Sequence, residues 1–381
     1  MPIFEIHRGP MVLLAAMLTF VSLPMQSAQA DDGATQAGEQ HLVDFVHYSL
    51  VANTDLAKAN AEWLLDHFST DESLATMFSQ SSVTPERFAR AVQWAVRVPE
   101  LSETVSTLAD RIEDGNLALS RDQERVTEAI MMLDGTRRDQ MLGRGRLVAA
   151  GEYAVPALLR ELTSGENEER RWASAELLRE IGRQSVTPLS AALPDLAPEH
   201  QRRVSEILGS IGYSHAGPAL LELSLNETAP TFVRESAAKA CRRLGGNPEL
   251  DQPGMLYAVL SQQYFDGAEH LIADPWGDVN NIWEFDSFAG LTTTQVPTDL
   301  YGPIMSMRTA GRAIMYNPKD SGAVAQFIAA NLRRENLMPD GYVDPIFGDL
   351  DYSPQFYATI HGSSTGQDVL ALALDSRDTQ L

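Results

Sequence analysis

The sequence predicts an all-α solenoid, a fold in which pairs of helices stack along one direction. Two observations support this prediction: a sequence motif that recurs between Gly151 and Gly245, and apolar residues spaced three and four apart within each copy of the motif. The glycines of the copies fall roughly 30 residues apart, and such fixed-period self-similarity is typical of stacked arrays. The expected architecture is a helical superhelix followed by an irregular, aromatic-rich helical region.

Each copy predicts two helices separated by a polar gap. A proline is expected at the start of the first helix, because a first-turn residue has no helical partner for its N–H. These prolines are Pro156, Pro188 and Pro218. A glycine is expected as the left-handed cap that ends each second helix. The glycines that bound the copies are Gly151, Gly182, Gly212 and Gly245.

The second helices share an arginine near their start and an apolar stripe further on. The arginine is Arg171 in the first copy and Arg234 in the third, whereas Gln201 stands at this position in the second. Leu178 and Leu208 lie on the apolar stripe, so we expect both to be buried between successive helices. The doubled arginines lie among acidic residues, and we expect them to form ion pairs and hydrogen bonds between repeats; they are Arg170-Arg171, Arg202-Arg203, Arg242-Arg243 and Arg333-Arg334.

The opening with glycine, proline and leucine and the closing arginine, paired alanines, leucine and glycine resemble the HEAT-repeat family, in its short form of the phycobilisome-lyase type. The resemblance implies an armadillo/HEAT-like superhelix whose extended surface binds another protein and has no inherent chemistry. Lyase subunits with this repeat attach bilins, so the resemblance also allows a lyase-type enzyme as an alternative.

Residues 1–30 have the pattern of a secretory signal peptide. An apolar run from Met11 to Leu23 is broken by Pro24, and Ala28-Gln-Ala30 supplies small residues for cleavage before Asp31. The apolar run is too short to cross a membrane core of about 30 Å. We therefore expect an exported protein, periplasmic or extracellular, without an integral membrane segment after cleavage.

Composition changes along the chain predict its organisation. We expect a signal peptide in 1–30, a degenerate helical solenoid in 31–140, HEAT-like repeats in 141–245, an irregular C-terminal helical region in 246–363, and the start of a possible further repeat in 364–381. In this last segment, Gln367 to Leu374 is expected to be a helix with Val369, Leu370, Leu372 and Leu374 as its apolar face. The absence of a second helix after it suggests an incomplete array.

Charge and cysteine content limit the classes of partner. The net charge of −23 opposes the binding of nucleic acid or anionic lipid, because like charges repel. Another protein is the expected partner. Cys241 is the single cysteine, lies among small apolar residues of a repeat helix, and is expected to be a buried structural thiol.

The residues that could carry chemistry do not form a complete catalytic or metal-binding set. Gly362 to Gly366 matches G-x-S-x-G, but no histidine follows His361, so we expect a helix-capping turn there. The aspartates 340, 344, 349 and 351 lack EF-hand spacing, which favours a solvated acidic loop over a weak calcium site. The histidines His41, His47 and His67 lack metal-ligand spacing. We predict no catalytic residue, metal or cofactor, and no enzymatic activity.

The C-terminal region is rich in aromatic residues. Aromatic side chains either pack an irregular insertion onto the solenoid or, if exposed, bind a glycan, a small molecule or a protein. The sequence leaves both interpretations open and does not identify the ligand-binding residues. The residues concerned are Trp276, Trp283, Phe285, Phe288, Tyr301, Tyr342, Tyr352, Phe356 and Tyr357.

Overall fold

A computed structural model describes residues 28–275, 277–347, 356 and 362–376. The chain divides into two compact units, residues 1–116 and 117–381. The charged start and apolar run of the predicted signal peptide lie outside the described residues. No helix in the part of the chain that the structure describes has the length and apolar character needed to span a membrane.

The first unit is helical. Its helices are α1 Ala28–Leu50, α2 Thr54–His67, α3 Asp71–Gln80, α4 Pro85–Ala95 and most of α5 Pro99–Arg121. The side-chain oxygen of Thr84 accepts a hydrogen bond from the backbone N–H of Arg87 and so caps the start of α4. Apolar residues from all five helices form one core, including Leu42, Phe45, Leu64, Leu74, Phe88 and Leu108.

Helix α5 continues through Gly115 and ends at Arg121. A Cβ atom at Gly115 would lie 2.0 Å from the carbonyl oxygen of Asp71, so glycine permits a close helix approach here and does not end the helix. The next helix begins after Asp122, whose side chain caps it.

The second unit begins with four stacked helical pairs. The pairs are α6 Gln123–Met131 with α7 Arg137–Ala150, α8 Val155–Ser164 with α9 Glu168–Ile181, α10 Arg183–Ala192 with α11 Pro198–Ile211, and α12 Gly217–Leu225 with α13 Thr231–Arg243. One continuous apolar core runs through all four, from Val126 to Cys241. Leu178 and Leu208 are fully buried, as predicted. The first pair has diverged too far for the sequence to reveal it as a complete repeat.

The repeat glycines have the positive φ that the sequence predicted. Gly212 and Gly245 have φ values of 90° and 91°, and Gly212 adopts the left-handed cap conformation. Gly151 and Gly182 have φ values of 56° and 69° with ψ near −128° and −121°, a combination essentially limited to glycine. All four glycines turn the chain from a second helix into the next pair.

The prolines follow the prediction in two repeats and depart from it in one. Pro156 and Pro218 lie in the first turns of α8 and α12, each after a short 3₁₀ turn. Pro188 lies inside α10, so its predicted place at a helix start is wrong. In that repeat the α-helix begins directly after Gly182, without a 3₁₀ turn, and Pro188 therefore falls in its second turn.

The C-terminal region contains a β-hairpin at a place where the sequence predicted irregular structure. Strand β1 Val279–Asp286 pairs antiparallel with β2 Gly290–Pro297, in register from Val279 opposite Pro297 to Asp286 opposite Gly290. Gly290 has a φ of +80°, which the tight three-residue connection requires. The helices of this region are α14 Pro253–Phe265, α15 Thr298–Tyr316, α16 Ser321–Leu337 and α17 Gly362–Asp375.

Helix α17 begins earlier than predicted and packs through a partly different face. The G-x-S-x-G segment forms its first turn, so the predicted start at Gln367 is wrong. Val369 and Ala373 are buried against the α16 layer, whereas Leu370 and Leu374 are exposed. The predicted apolar face is confirmed for Val369 and Leu372, which pack in the core next to α16, and is wrong for Leu370 and Leu374. The helix docks on α16 along the row that contains Thr365, Val369 and Ala373.

Candidate functional site

The first helices of the repeats are covered by the C-terminal region. Strand β1 packs against α10 and β2 against α8, while α14 packs against α12. The guanidinium of Arg183 donates to the carbonyl oxygen of Glu269, and the amide of Gln184 donates to that of Ala273. This side of the solenoid is therefore occupied by the protein's own chain.

A buried carboxylate anchors the hairpin to the repeats. Glu152 lies in the 3₁₀ turn between α7 and α8 and is buried. Its Oε1 accepts a hydrogen bond of 2.6 Å from Nδ2 of Asn281, and its Oε2 accepts one of 2.8 Å from Nε1 of Trp283. Burial raises the pKa of Glu152, although these two hydrogen bonds and the charge of Arg121 act in the opposite direction.

A second carboxylate joins α12 to the C-terminal helices. The hydroxyl of Tyr257 donates a hydrogen bond of 2.7 Å to Oε2 of Glu222, and the guanidinium of Arg312 pairs with Oε1. The same guanidinium lies 5.7 Å from the centre of the Tyr257 ring, within the range of a cation–π contact. These two carboxylates thus add to the polar contacts of Arg183 and Gln184 that join the repeats to the C-terminal region.

The second helices α9 and α11 form an open groove on the other side of the pairs; we call this side the second-helix face. The groove has a volume of about 320 Å³ and is lined by charged residues, the floor residues Leu162 and Ile207, and the indole of Trp172. Trp172 is 67% exposed, which is unusual for the largest apolar side chain. A large aromatic ring beside a groove is typical of a binding surface.

Some charges in this groove are already paired. Arg179 forms a 2.6 Å ion pair with Glu176, and Arg202 forms one of 2.7 Å with Glu206. Arg179 also donates to the hydroxyl of Ser210, which links α9 to α11. The two ion pairs lie within single helices and engage the carboxylates of Glu176 and Glu206.

Two other arginines of the groove have no such partner. Among the described residues, the side chains of Arg171 and Arg203 make no ion pair and no hydrogen bond, and the Nε atom of Arg171 is buried. His200 lies close enough for both guanidinium charges to lower its pKa, an effect that adds to the larger one of burial. Its buried Nδ1 atom also lacks a hydrogen-bond partner in the described part of the chain.

The repeat arginines therefore only partly follow the predicted pattern. Arg170 does link repeats, because it pairs with Glu161 at 3.2 Å and with Asp134 at 3.7 Å. Arg171 and its equivalent Arg234 each leave a buried Nε without a partner among the described residues. Gln201 instead donates to the carbonyl oxygens of Leu193 and Pro194, which explains why glutamine serves at that position.

The other candidate residues are dispersed. His41 and His67 stack on Trp63, each with ring centres 3.9 Å apart, and no cluster of metal-binding residues occurs within the described ranges. Cys241 is fully buried, as predicted, and burial raises the pKa of its thiol.

The acidic loop after α16 is not simply solvated. Asp344, which was expected in a solvated loop, is buried and pairs with Arg334, which is also buried. The carboxylate also accepts the backbone N–H of Ile346, so it holds the loop against α16. Asp349 and Asp351 lie outside the described residues.

The aromatic residues of the C-terminal region mostly pack. Trp283 and Tyr301 are buried, Phe285 and Tyr342 are partly buried, and Phe288 at the hairpin turn is 99% exposed. Trp276, Tyr352 and Tyr357 lie outside the described residues. The buried rings cannot stack on a sugar.

The stacked helical pairs define this protein as an α-solenoid. Residues 155–249 match the family model of HEAT repeats, and this segment of the chain is a HEAT-repeat array. The resemblance found in the sequence is thereby confirmed for the repeats. No curated protein and no solved structure matches the chain.

Proposed function

We propose that this protein is a non-enzymatic interaction module that binds another protein through its second-helix face. The observation that carries the proposal is Trp172, whose indole is 67% exposed beside a groove of about 320 Å³. The first helices are covered by the hairpin and α14, so the second helices are the side on which the repeats of this unit offer a surface. HEAT-type arrays present such extended surfaces for binding.

The proposal includes export. The leader-like residues 1–30 support secretion to the periplasm or beyond, with a mature chain that begins at Asp31. The net charge of −23 supports a protein partner over nucleic acid. N-terminal sequencing of the exported protein tests this part: a chain that still begins at Met1 contradicts it.

Site-specific photocrosslinking in the producing cell tests the binding face. A photoreactive phenylalanine analogue replaces Trp172 in one variant and Phe288, which is 99% exposed on the hairpin turn, in the matched control. We expect a discrete crosslinked protein at position 172 and none at 288. Equal crosslinking at both positions, or none at 172, contradicts the proposal.

A cavity in the C-terminal region supports a second candidate function, small-molecule binding. It lies between the end of α10 and helices α14 to α16, and its volume of about 770 Å³ is in the range of ligand pockets. Met307, Met315 and Phe327 supply apolar walls, and Arg308 and Arg312 supply charge. Both arginines pair with glutamates, Glu284 and Glu222, which reduces their capacity to attract an anion.

Gly311 offers a direct test of this second candidate. It lines the cavity, and a Cβ atom there would meet no heavy atom within 4 Å, so Gly311→Leu fills space without backbone strain. A thermal-shift screen with glycans and small apolar acids should give hits that this variant loses. A screen without hits, or hits that the variant keeps, leaves the protein-binding proposal as the better one.

A further inference from the structure

Two arginines that line the groove between α9 and α11 have no ion-pair partner among the described residues. Glu176 and Glu206 are engaged by Arg179 and Arg202, so they do not pair with Arg171 or Arg203. Within the described residues, Glu168 is the lining carboxylate that also has no ion pair. Two guanidinium groups of a groove whose lining is balanced in charge are thus not engaged by its carboxylates.

An arginine that has no ion-pair partner cannot become neutral by losing its proton. The guanidinium stays charged at any physiological pH and presents five donors in a planar fork. A buried donor without a partner costs free energy, and the Nε of Arg171 is such a donor among the described residues. An incoming anion with two acceptor oxygens would accept hydrogen bonds from the terminal nitrogens of such a fork.

We infer that this groove binds a carboxylate of an acidic peptide segment in a partner protein through Arg171 and Arg203, while Trp172 packs against the apolar residue beside that carboxylate. The inference rests on the proposed function and names the chemistry of its partner. Carboxylates match the guanidinium fork in a bidentate manner, and an exposed indole offers a large apolar contact. Both features lie in one groove.

The net negative charge of the protein favours a ligand that carries few negative charges. A net charge of −23 repels anions in proportion to their charge, so a polyanion such as nucleic acid is opposed more than a segment with one or two carboxylates. Ion pairs with Arg171 and Arg203 can offset the repulsion between the protein and one or two carboxylates, but not the larger repulsion of a polyanion. A single Asp or Glu next to a large apolar residue therefore fits the groove best.

Titrations with defined probes test the inference. The primary probe is a capped peptide with Glu-Leu in an alanine host, and the matched probe carries Gln-Leu; inorganic phosphate at equal ionic strength forms a third arm. The readout is the indole N–H signal of Trp172 in proton–nitrogen correlation spectra, assigned among the five tryptophans with Trp172→Phe. We expect the Glu peptide to shift this signal and the Gln peptide to leave it in place.

Arginine variants identify the groups that bind. Arg203→Gln, and Arg171→Gln where its melting temperature matches that of the wild type, should each weaken the Glu-peptide response at least about tenfold, or about 1.4 kcal/mol. Arg242→Gln is the matched control, because Arg242 lies outside the groove and is paired with Glu249. Its response should stay within about twofold, or about 0.4 kcal/mol, of the wild type.

The outcomes distinguish this inference from the proposed function. An unshifted signal with the Glu peptide, an equal shift with the Gln peptide, or an equal loss in Arg242→Gln overturns the inference. A response to phosphate alone overturns it in favour of a free-anion site. If photocrosslinking at position 172 succeeds while the peptide fails, the interaction face stands and only its carboxylate chemistry is wrong.

Discussion

Nε1 of Trp283 donates a hydrogen bond of 2.8 Å to Oε2 of Glu152, so a hairpin residue and a repeat residue that are far apart in the sequence meet inside the protein. Asn281 holds the other carboxylate oxygen. This contact fixes the hairpin on the first helices of the repeats. The free energy of the contact depends on the protonation of Glu152, which leads to the first prediction.

We predict that Glu152 makes stability depend on pH. Its pKa is higher in the folded protein than its ordinary value of 4.5, because burial disfavours the charged form. The folded state therefore binds the proton more tightly than the unfolded state, and the resulting stability is present below 4.5 and is lost as the pH rises through the folded pKa.

Glu152→Gln is the variant that tests this dependence. Oδ1 of Asn281 has no partner among the described residues, so rotation of that amide would let it accept a hydrogen bond from the new glutamine. Urea unfolding across this pH range should show wild type losing stability relative to Glu152→Gln as the pH rises. Parallel stability curves for the two proteins would contradict the raised pKa.

We predict that Trp283 stabilises the packing of the hairpin against the repeats, whereas Phe288 contributes little to the free energy of unfolding. Trp283→Ala removes a buried indole and its hydrogen bond and should cost about 3–5 kcal/mol of unfolding free energy. Phe288→Ala, the aromatic control on the same hairpin, should stay within about 0.5 kcal/mol because Phe288 contacts solvent. Chemical denaturation measures both. A similar loss for the two variants would show that the turn is packed rather than exposed.

We predict that Leu178 contributes strongly to the stability of the repeat core. It is fully buried between successive pairs, so Leu178→Ala should cost about 2–5 kcal/mol. Leu250→Ala serves as the control, because Leu250 is 78% exposed in the connection after the third HEAT repeat and should change little. Thermal unfolding of the two variants compares them directly, and a loss below about 0.5 kcal/mol for Leu178→Ala would contradict the assigned helix face.

We predict opposite effects of alanine at two helical glycines. A Cβ at Gly209 in α11 would lie 2.8 Å from that of Ala240 in α13, so Gly209→Ala should push these helices apart and destabilise the protein. A Cβ at Gly145 in α7 would meet nothing within 4 Å. Gly145→Ala should therefore stabilise the helix by up to about 1 kcal/mol. Melting temperatures that move in the same direction for both variants would be inconsistent with this packing.

Much of the fold could be predicted because its signals are local. Glycines with positive φ, prolines in first turns and leucines at helical spacing are properties of short segments, and they define the repeats without knowledge of the rest. The hairpin was missed although its strands carry β-branched residues and its turn lies between Asp286 and Gly290. The aromatic stretch after the linker looked irregular, because β1 has no alternation by two: four consecutive residues, from Asn280 to Trp283, are buried.

The candidate groove could not be predicted in the same way. The sequence shows arginines on every second helix and does not show which of them finds a carboxylate. Arg170 and Arg171 are neighbours, yet Arg170 pairs with Glu161 and Asp134, whereas Arg171 has no ion pair in the part of the chain that the structure describes. Adjacent positions on a helix face different directions, and only packing decides what each direction meets.

The sequence by itself determined that helices form here and that three of their pairs repeat, because helix periodicity, caps and glycine turns depend on residues within a few positions of one another. Tertiary structure alone decided that the hairpin covers the first helices, that Glu152 and Arg334 are buried, and that Trp172, Arg171 and Arg203 share an open groove. These features depend on contacts between residues distant in the chain, and burial and charge pairing exist only once those residues have come together.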